Sequence, residues 1–136
     1  MVVHKDNWKE VSAGTLGEAL GIEWVSATDD KIIFTMPVGP NTRQPMGLLH
    51  GGASVALAET VASIGGVNKV APLGKTAVGL EINANHIRSK RDGMVTAIGS
   101  LIHEGRTTMI WEVKIVDESD KLICISRCTL AIVDVR

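Results

Sequence analysis

Tyrosine is absent from this chain and aromatic residues make up only 3% of it, so its core must be built from aliphatic side chains. Cysteine occurs only at positions 124 and 128. In a stretch that reads as strand, Cys124 and Cys128 share a face about 13 Å apart, too far for a disulfide. No histidine stands near them at ligand spacing, so reduced core thiols are expected, and no zinc site or other metal. Charge of either sign is not in excess: the net charge of −1 argues against nucleic acid or an anionic membrane surface as the main partner. The opening M-V-V-H-K-D-N-W-K-E lacks the apolar centre of a signal peptide, and Glu59 interrupts the longest apolar stretch. Neither a secretory leader nor a transmembrane helix is expected, which places the protein in the cytoplasm.

What remains is an ordinary globular composition, 45% hydrophobic and 21% charged. A length of 136 residues makes one domain, without repeats or linkers, small for an enzyme that must enclose a substrate; oligomerisation is expected. Residues 1–10 read as a tail from which Trp8 caps an exposed edge of the core. Thr15 to Leu20 reads as a short helix with a capping box from Thr15 and Glu18, ended by Gly21. Ile22 to Thr28 and Lys31 to Met36 read as strands joined by an Asp29-Asp30 turn. A helix is expected from Ala53 to Ile64, weakened by Gly65 and Gly66. Four long strands follow: Thr76 to Arg88, Met94 to His103, Thr107 to Val116 and Lys121 to Val133. The short turns between them predict an antiparallel meander. One helix on one face of a sheet of about six strands is an α+β arrangement.

Chemistry concentrates between Arg43 and Asn68. At 100° per residue Gly52, Val55, Ala56, Glu59, Ser63 and Gly66 fall on one stripe of the helix, which makes Glu59 a lone carboxylate in apolar surroundings. Glycines 51 and 52 leave the helix N-terminus open to another molecule, and its free N–H groups suit a developing oxyanion. His50 stands at that terminus and Gln44 in the loop before it. Carboxylate, imidazole, carboxamide and amide cluster together supply what hydrolysis of an activated acyl group requires. Ser63, one turn after Glu59, could bond Glu59, the attacking water, or the Glu59 carbonyl. Each residue also has a structural reading: surface glutamate, backbone-bonding histidine, solvated glutamine.

The pattern Q-P-x-G, then H-G-G with glutamate eight residues after Gly51, then serine four further on, resembles the hotdog-fold acyl-CoA thioesterases. It is closest to the branch that includes 4-hydroxybenzoyl-CoA and 1,4-dihydroxy-2-naphthoyl-CoA thioesterases. V-G-L-E-I-N-A-N-H from Val78 to His86 and the final strand around Leu122 to Ile132 extend the resemblance over nearly the whole chain. Met46 departs from it, where phenylalanine is expected. The resemblance implies a hotdog fold and hydrolysis of an aromatic acyl-CoA, favouring dihydroxynaphthoyl-CoA and a place in menaquinone synthesis, with a broad aroyl-CoA proofreading enzyme next; coenzyme A is part of the substrate and no cofactor is implied. It implies that Glu59, Gly51, His50, Gln44 and Ser63 are catalytic. Strand ends carrying His86, Arg88 and Ser89, and Gly105 and Arg106, would hold the nucleotide, and Gly79 would line the pantetheine channel. It also implies a homodimer with shared sites, paired into a homotetramer. A hotdog dehydratase or hydratase would space its carboxylate and histidine differently, and a non-catalytic acyl-CoA sensor would lack the carboxylate.

Overall fold

The computed structural model describes residues 1–135. Two short helices, α1 (Trp8–Ser12) and α2 (Leu16–Leu20), precede β1 (Glu23–Ala27) and β2 (Lys31–Pro37). The long helix α3 (Gly51–Val70) follows, then β3 (Lys75–His86), β4 (Met94–Glu104), β5 (Thr108–Val116) and β6 (Leu122–Asp134). All six strands join one antiparallel sheet in the order β1-β2-β4-β5-β6-β3. This is the hotdog arrangement, a curved sheet around one central helix. Among the described residues no helix is long and apolar enough to cross a membrane.

The expected meander holds for β4, β5 and β6 alone. β3 lies beyond β6, at the edge of the sheet, with its outer side unpaired. The reason is the segment 87–93, which is a strap across the end of the sheet rather than a tight turn. The N–H groups of Ile87 and Arg88 both donate to the Ile123 carbonyl (2.8 and 3.2 Å), and Val38 N–H donates to the Gly93 carbonyl (2.8 Å). Short connections predict antiparallel neighbours only where the chain does not travel sideways.

Helix α3 does not end at Ile64 but runs to Val70, followed by a 3₁₀ turn at Ala71–Leu73. Its two glycines serve packing. A Cβ on Gly65 would stand 2.7 Å from Cη2 of Trp111, and one on Gly66 would overlap Leu130, so only glycine lets the helix lie this close to the sheet. The core face carries Leu57, Ala58, Val61 and Ala62, all fully buried. The stripe of Gly52, Val55, Ala56, Glu59 and Ser63 is therefore the outer face, half-buried or exposed in the single chain. Gly66, assigned to that stripe, turns to the core.

Residues 1–10 are fastened to the domain, contrary to the expected tail. Val3 is buried; its N–H donates to Asn68 Oδ1 (2.7 Å) and its carbonyl accepts from Asn68 Nδ2 (2.6 Å). Trp8 is 6% exposed, sits edge-on to Phe34 with ring centres 5.0 Å apart, and donates its indole N–H to the Ile22 carbonyl at 2.8 Å. Burial of so large a ring with its polar tip satisfied outweighs the polar neighbours that suggested disorder. The capping box also takes another form. Thr15 Oγ1 donates back to the Ser12 carbonyl, and Glu18 accepts from Gly14 N–H.

Candidate active site

The loop 43–50 is built to present the start of α3. Gln44 N–H donates to the Leu48 carbonyl and Gly47 N–H to the Gln44 carbonyl, with Gly47 at φ 82°, a left-handed conformation that favours glycine. The Gln44 side chain closes the same turn, its Oε1 accepting from Met46 N–H (2.5 Å) and Leu48 N–H (3.4 Å). With its oxygen committed, Gln44 offers its two amide hydrogens outward.

His50 is the N-cap of α3, and its Nδ1 accepts from Gly52 N–H at 2.7 Å. That bond assigns the bare nitrogen to Nδ1 and the proton to Nε2. The His50 carbonyl accepts from Ala53 and Ser54, and His50 N–H donates to Thr42. Of the amides from His50 to Ser54, only that of Gly51 has no partner among the described residues. It opens into a cavity of about 300 Å³ lined by Gln44, Leu48, Gly51, Ser54, His86, Arg88 and Ser89, among others. His86 reaches in from β3, its Nε2 2.9 Å from where a Cβ on Gly51 would stand.

Glu59 is elsewhere. It lies two helical turns on, half-buried, in a second and more apolar cavity of about 420 Å³ between α3 and the α1–α2 arm, with Trp8, Val11, Leu16, Ser63 and Ile64 in its walls. No ion pair or hydrogen bond from the described residues engages its carboxylate. Gly79 of β3 passes beneath it so closely that a Cβ there would overlap Oε2. The carboxylate is thus held over bare backbone in an apolar cleft, without a partner among the described residues.

Comparison with known proteins settles the family. The thioesterase superfamily matches residues 46–124. The chain belongs to that superfamily. It is 50% identical over 117 residues to the 1,4-dihydroxy-2-naphthoyl-CoA hydrolase of Listeria monocytogenes, covering 86% of this chain and 94% of the relative. It is 46% identical over 121 residues to the proofreading thioesterase EntH of Cronobacter turicensis, covering 89% and 88%. The crystal structure of thioesterase HI1161 from Haemophilus influenzae superposes with a TM-score of 0.93 at 43% identity, covering 98% of this chain and 93% of that one.

In this thioesterase the residues expected to act together fall into three places within one chain. Gln44, His50 and Gly51, with His86, Arg88 and Ser89, gather at the N-terminal end of α3. Glu59, Ser63 and Gly79 meet at its middle. Gly105 and Arg106 lie in the β4–β5 turn, near the other end of α3, where Lys69 approaches Glu104 (3.9 Å) and Ile132 N–H donates to the Thr107 carbonyl. Ser63 bonds neither Glu59 nor its carbonyl; the back-bond to the helix is made by Thr60 to Ala56 (2.7 Å). Ser54 was not anticipated. Its place three residues after Gly51 puts it on the same helical face, a signal the sequence did carry, whereas nothing in the sequence announced that Leu48, Ile87 and Ile123 would complete the wall.

The cysteines are buried and free. Burial pushes the Cys128 thiol up to about 11, with the Glu59 and Glu81 carboxylates adding to the rise. Among the described residues no three His, Cys, Asp or Glu side chains are placed to hold a metal.

Proposed function

We propose that the protein hydrolyses acyl-CoA thioesters with an aromatic acyl group, such as 1,4-dihydroxy-2-naphthoyl-CoA or a related aroyl-CoA, at sites shared between two copies of the chain. The observation that carries this reading is the free N–H of Gly51 at the positive end of a twenty-residue helix, facing a cavity that also holds Gln44. A thioester carbonyl placed there would accept from that amide, aided by the Gln44 carboxamide, and the negative charge that develops on its oxygen would meet the helix dipole. His50 caps the helix and leaves Gly51 as the free donor.

The carboxylate must come from the other copy. Eight residues of α-helix separate Gly51 from Glu59 by about 12 Å along the axis, too far for both to reach one carbonyl carbon. The unpaired outer side of β3 and the half-buried outer stripe of α3 give a second copy a continuous surface on which to deliver Glu59. There Glu59 acts as general base, taking a proton from the water that adds to the carbonyl. Alternatively it adds itself, forming a mixed anhydride that water opens. On either path the carbon–sulfur bond breaks, the thiol of coenzyme A leaves and the free acid remains. The apolar cleft beside Glu59, walled by Trp8, Val11, Leu16 and Ile64, suits a flat aromatic ring. The Listeria relative's substrate supports the same class and a place in menaquinone synthesis. Pairing of dimers into tetramers, and residence in the cytoplasm, belong to the same reading.

A panel of benzoyl-, 4-hydroxybenzoyl-, 1,4-dihydroxy-2-naphthoyl- and straight-chain acyl-CoA esters, followed by free-thiol release, tests the proposal. The aromatic esters are expected to give kcat/KM about tenfold or more above the straight-chain ones. A preference for the straight-chain esters would overturn the aromatic assignment.

A further inference from the structure

The cleft that holds Glu59 has a neighbour on the same side of α3. A smaller cavity of about 230 Å³ lies nearer the start of the helix, with Leu20, Arg43, His50, Gly52 and Ala53 in its walls. The two cavities have two wall residues in common, Leu16 of α2 and Ala56 of α3. They are therefore two compartments of one groove that follows the outer stripe of α3 beneath the α1–α2 arm, and Leu16 and Ala56 mark the passage between them. The arm around Leu16 is well fixed. Thr15 Oγ1 donates to the Ser12 carbonyl at 2.6 Å, a Cβ on Gly17 would stand 3.4 Å from Cη2 and Cζ2 of Trp8, and Asn41 Nδ2 donates to the Ala19 carbonyl at 3.1 Å. Leu16 itself is nevertheless 60% exposed. Across the groove Ala56 contributes only a methyl group, and Thr60 donates its hydroxyl proton to the Ala56 carbonyl at 2.7 Å. The passage is apolar on both sides.

Resting on the aroyl-CoA reading, we propose that Leu16 sets the size of the acyl group, and that the passage it forms with Ala56 fits the groove to a fused two-ring aroyl group. A single ring beside Glu59 lies in the first compartment, against Trp8, Val11 and Ile64. A second fused ring continues in the plane of the first, passes between Leu16 and Ala56, and ends against Leu20 and Ala53. Covering Leu16 in this way removes from water apolar surface that the free chain leaves exposed, which favours the larger group. The gain depends on room. Ala56 leaves a gap that a longer side chain would fill, and the fixed arm cannot retreat to reopen it. Leu16 also lies outside residues 46–124, the part of the chain that matches the thioesterase superfamily. The arm thus adds selection among acyl groups to the chemistry that the matched part carries.

The test follows the ratio of kcat/KM for 2-naphthoyl-CoA to that for benzoyl-CoA in the full-length protein. Leu16→Trp places a large ring in the passage and is expected to lower the ratio about tenfold or more. Ala56→Leu narrows the passage from the helix side and should act in the same direction, so the conclusion does not depend on the folding of one variant. Leu16→Met, close in volume and equally apolar, should bring the ratio back near its wild-type value. A mere loss of stability would lower the rates on both esters together and leave the ratio where it was. Calorimetry with phenacyl-CoA and 2-naphthacyl-CoA, thioethers that have no ester bond to hydrolyse, reads the groove without turnover. Wild type should bind both, and Leu16→Trp should weaken the naphthacyl compound selectively, by about tenfold. A protein that bound both thioethers in this way but cleaved no thioester would refute the hydrolase reading and still support the groove. An unchanged ratio in folded Leu16→Trp and Ala56→Leu, equal losses on both esters, or a wild type that binds phenacyl-CoA and not 2-naphthacyl-CoA would overturn the inference.

Discussion

The Glu59 carboxylate lies directly over Gly79, and the gap between them has no room for a methyl group. Glycine at position 79 thus sets where the carboxylate can sit. Gly79→Ala is expected to push Glu59 off its position and lower kcat about tenfold or more, a barrier increase of about 1.4 kcal/mol. The strand there is an exposed edge, so the melting temperature should change little. Steady-state kinetics with a thermal melt checks both halves. Full activity in a folded Gly79→Ala protein would show that Glu59 is free to move and that the contact has no catalytic consequence.

The separation of Gly51 from Glu59 along α3 predicts complementation. Gln44→Ala with His50→Ala on one chain and Glu59→Ala on the other should each be inactive alone. Glu59→Ala should melt at or above the wild-type temperature, since it removes a charge from an apolar cleft. Co-refolded in equal amounts with random pairing, the two chains should recover roughly a quarter of the wild-type sites, because each mixed dimer gathers all lesions in one site and leaves the other intact. Complete inactivity in a mixture shown to contain heterodimers would mean that one chain holds a whole site.

Acid should loosen the strap 87–93. Lys90 ties it in two ways: its carbonyl accepts from Leu49 N–H (2.7 Å), next to His50, and its ammonium pairs with Glu118. That ammonium and the Met94 N–H hold the Glu118 carboxyl at about 2, below its usual 4.5. A group whose folded value is depressed adds stability above its unfolded value and loses it as pH falls toward the folded one. Wild type should therefore lose stability between about pH 4.5 and 2, while Glu118→Gln should lose less over that window. Asp117, lowered by the Lys121 and Ser119 N–H groups, and Asp134, lowered by Lys75, keep part of the slope in the variant. Urea midpoints across the window give the comparison, and identical slopes would remove Glu118 from the account.

The outline of the fold and the chemistry of α3 were legible because both rest on local signals. The period change at residue 75, Gly51 and Gly52 before a run of helix formers, and Glu59 on that run all show in short windows of sequence. Four things were not. Segment 87–93 has the composition of a turn, and only Ile123 and Val38, distant in the chain, reveal it as a strap. Gly65 and Gly66 carry the propensity of helix breakers, and the closeness of Trp111 and Leu130 reverses that reading. The face that α3 turns to the sheet was not read at all, because alanine and glycine give the helix almost no sidedness; Leu57 and Val61 fix it only once the sheet is in place. Val3 looked like tail because a lone apolar residue among polar neighbours does not announce the Asn68 amide waiting for it, and Trp8, read as a cap on an exposed edge, is instead buried against the Phe34 ring.

The place of β3 also bears on the order in which the protein can be made. It is synthesised directly after α3, yet its only strand partner among the described residues is β6, which follows β4 and β5 in the chain. Until β6 leaves the ribosome, β3 has both edges open, with Val78 and Leu80 exposed even in the finished sheet. A nascent chain stalled or truncated before Leu122 would carry twelve residues of strand without a strand partner, a template for pairing with other nascent chains. Completion of the last strand is thus the event that leaves β3 one open edge rather than two, and polysomes translating this message are where misassembly between neighbouring chains would begin.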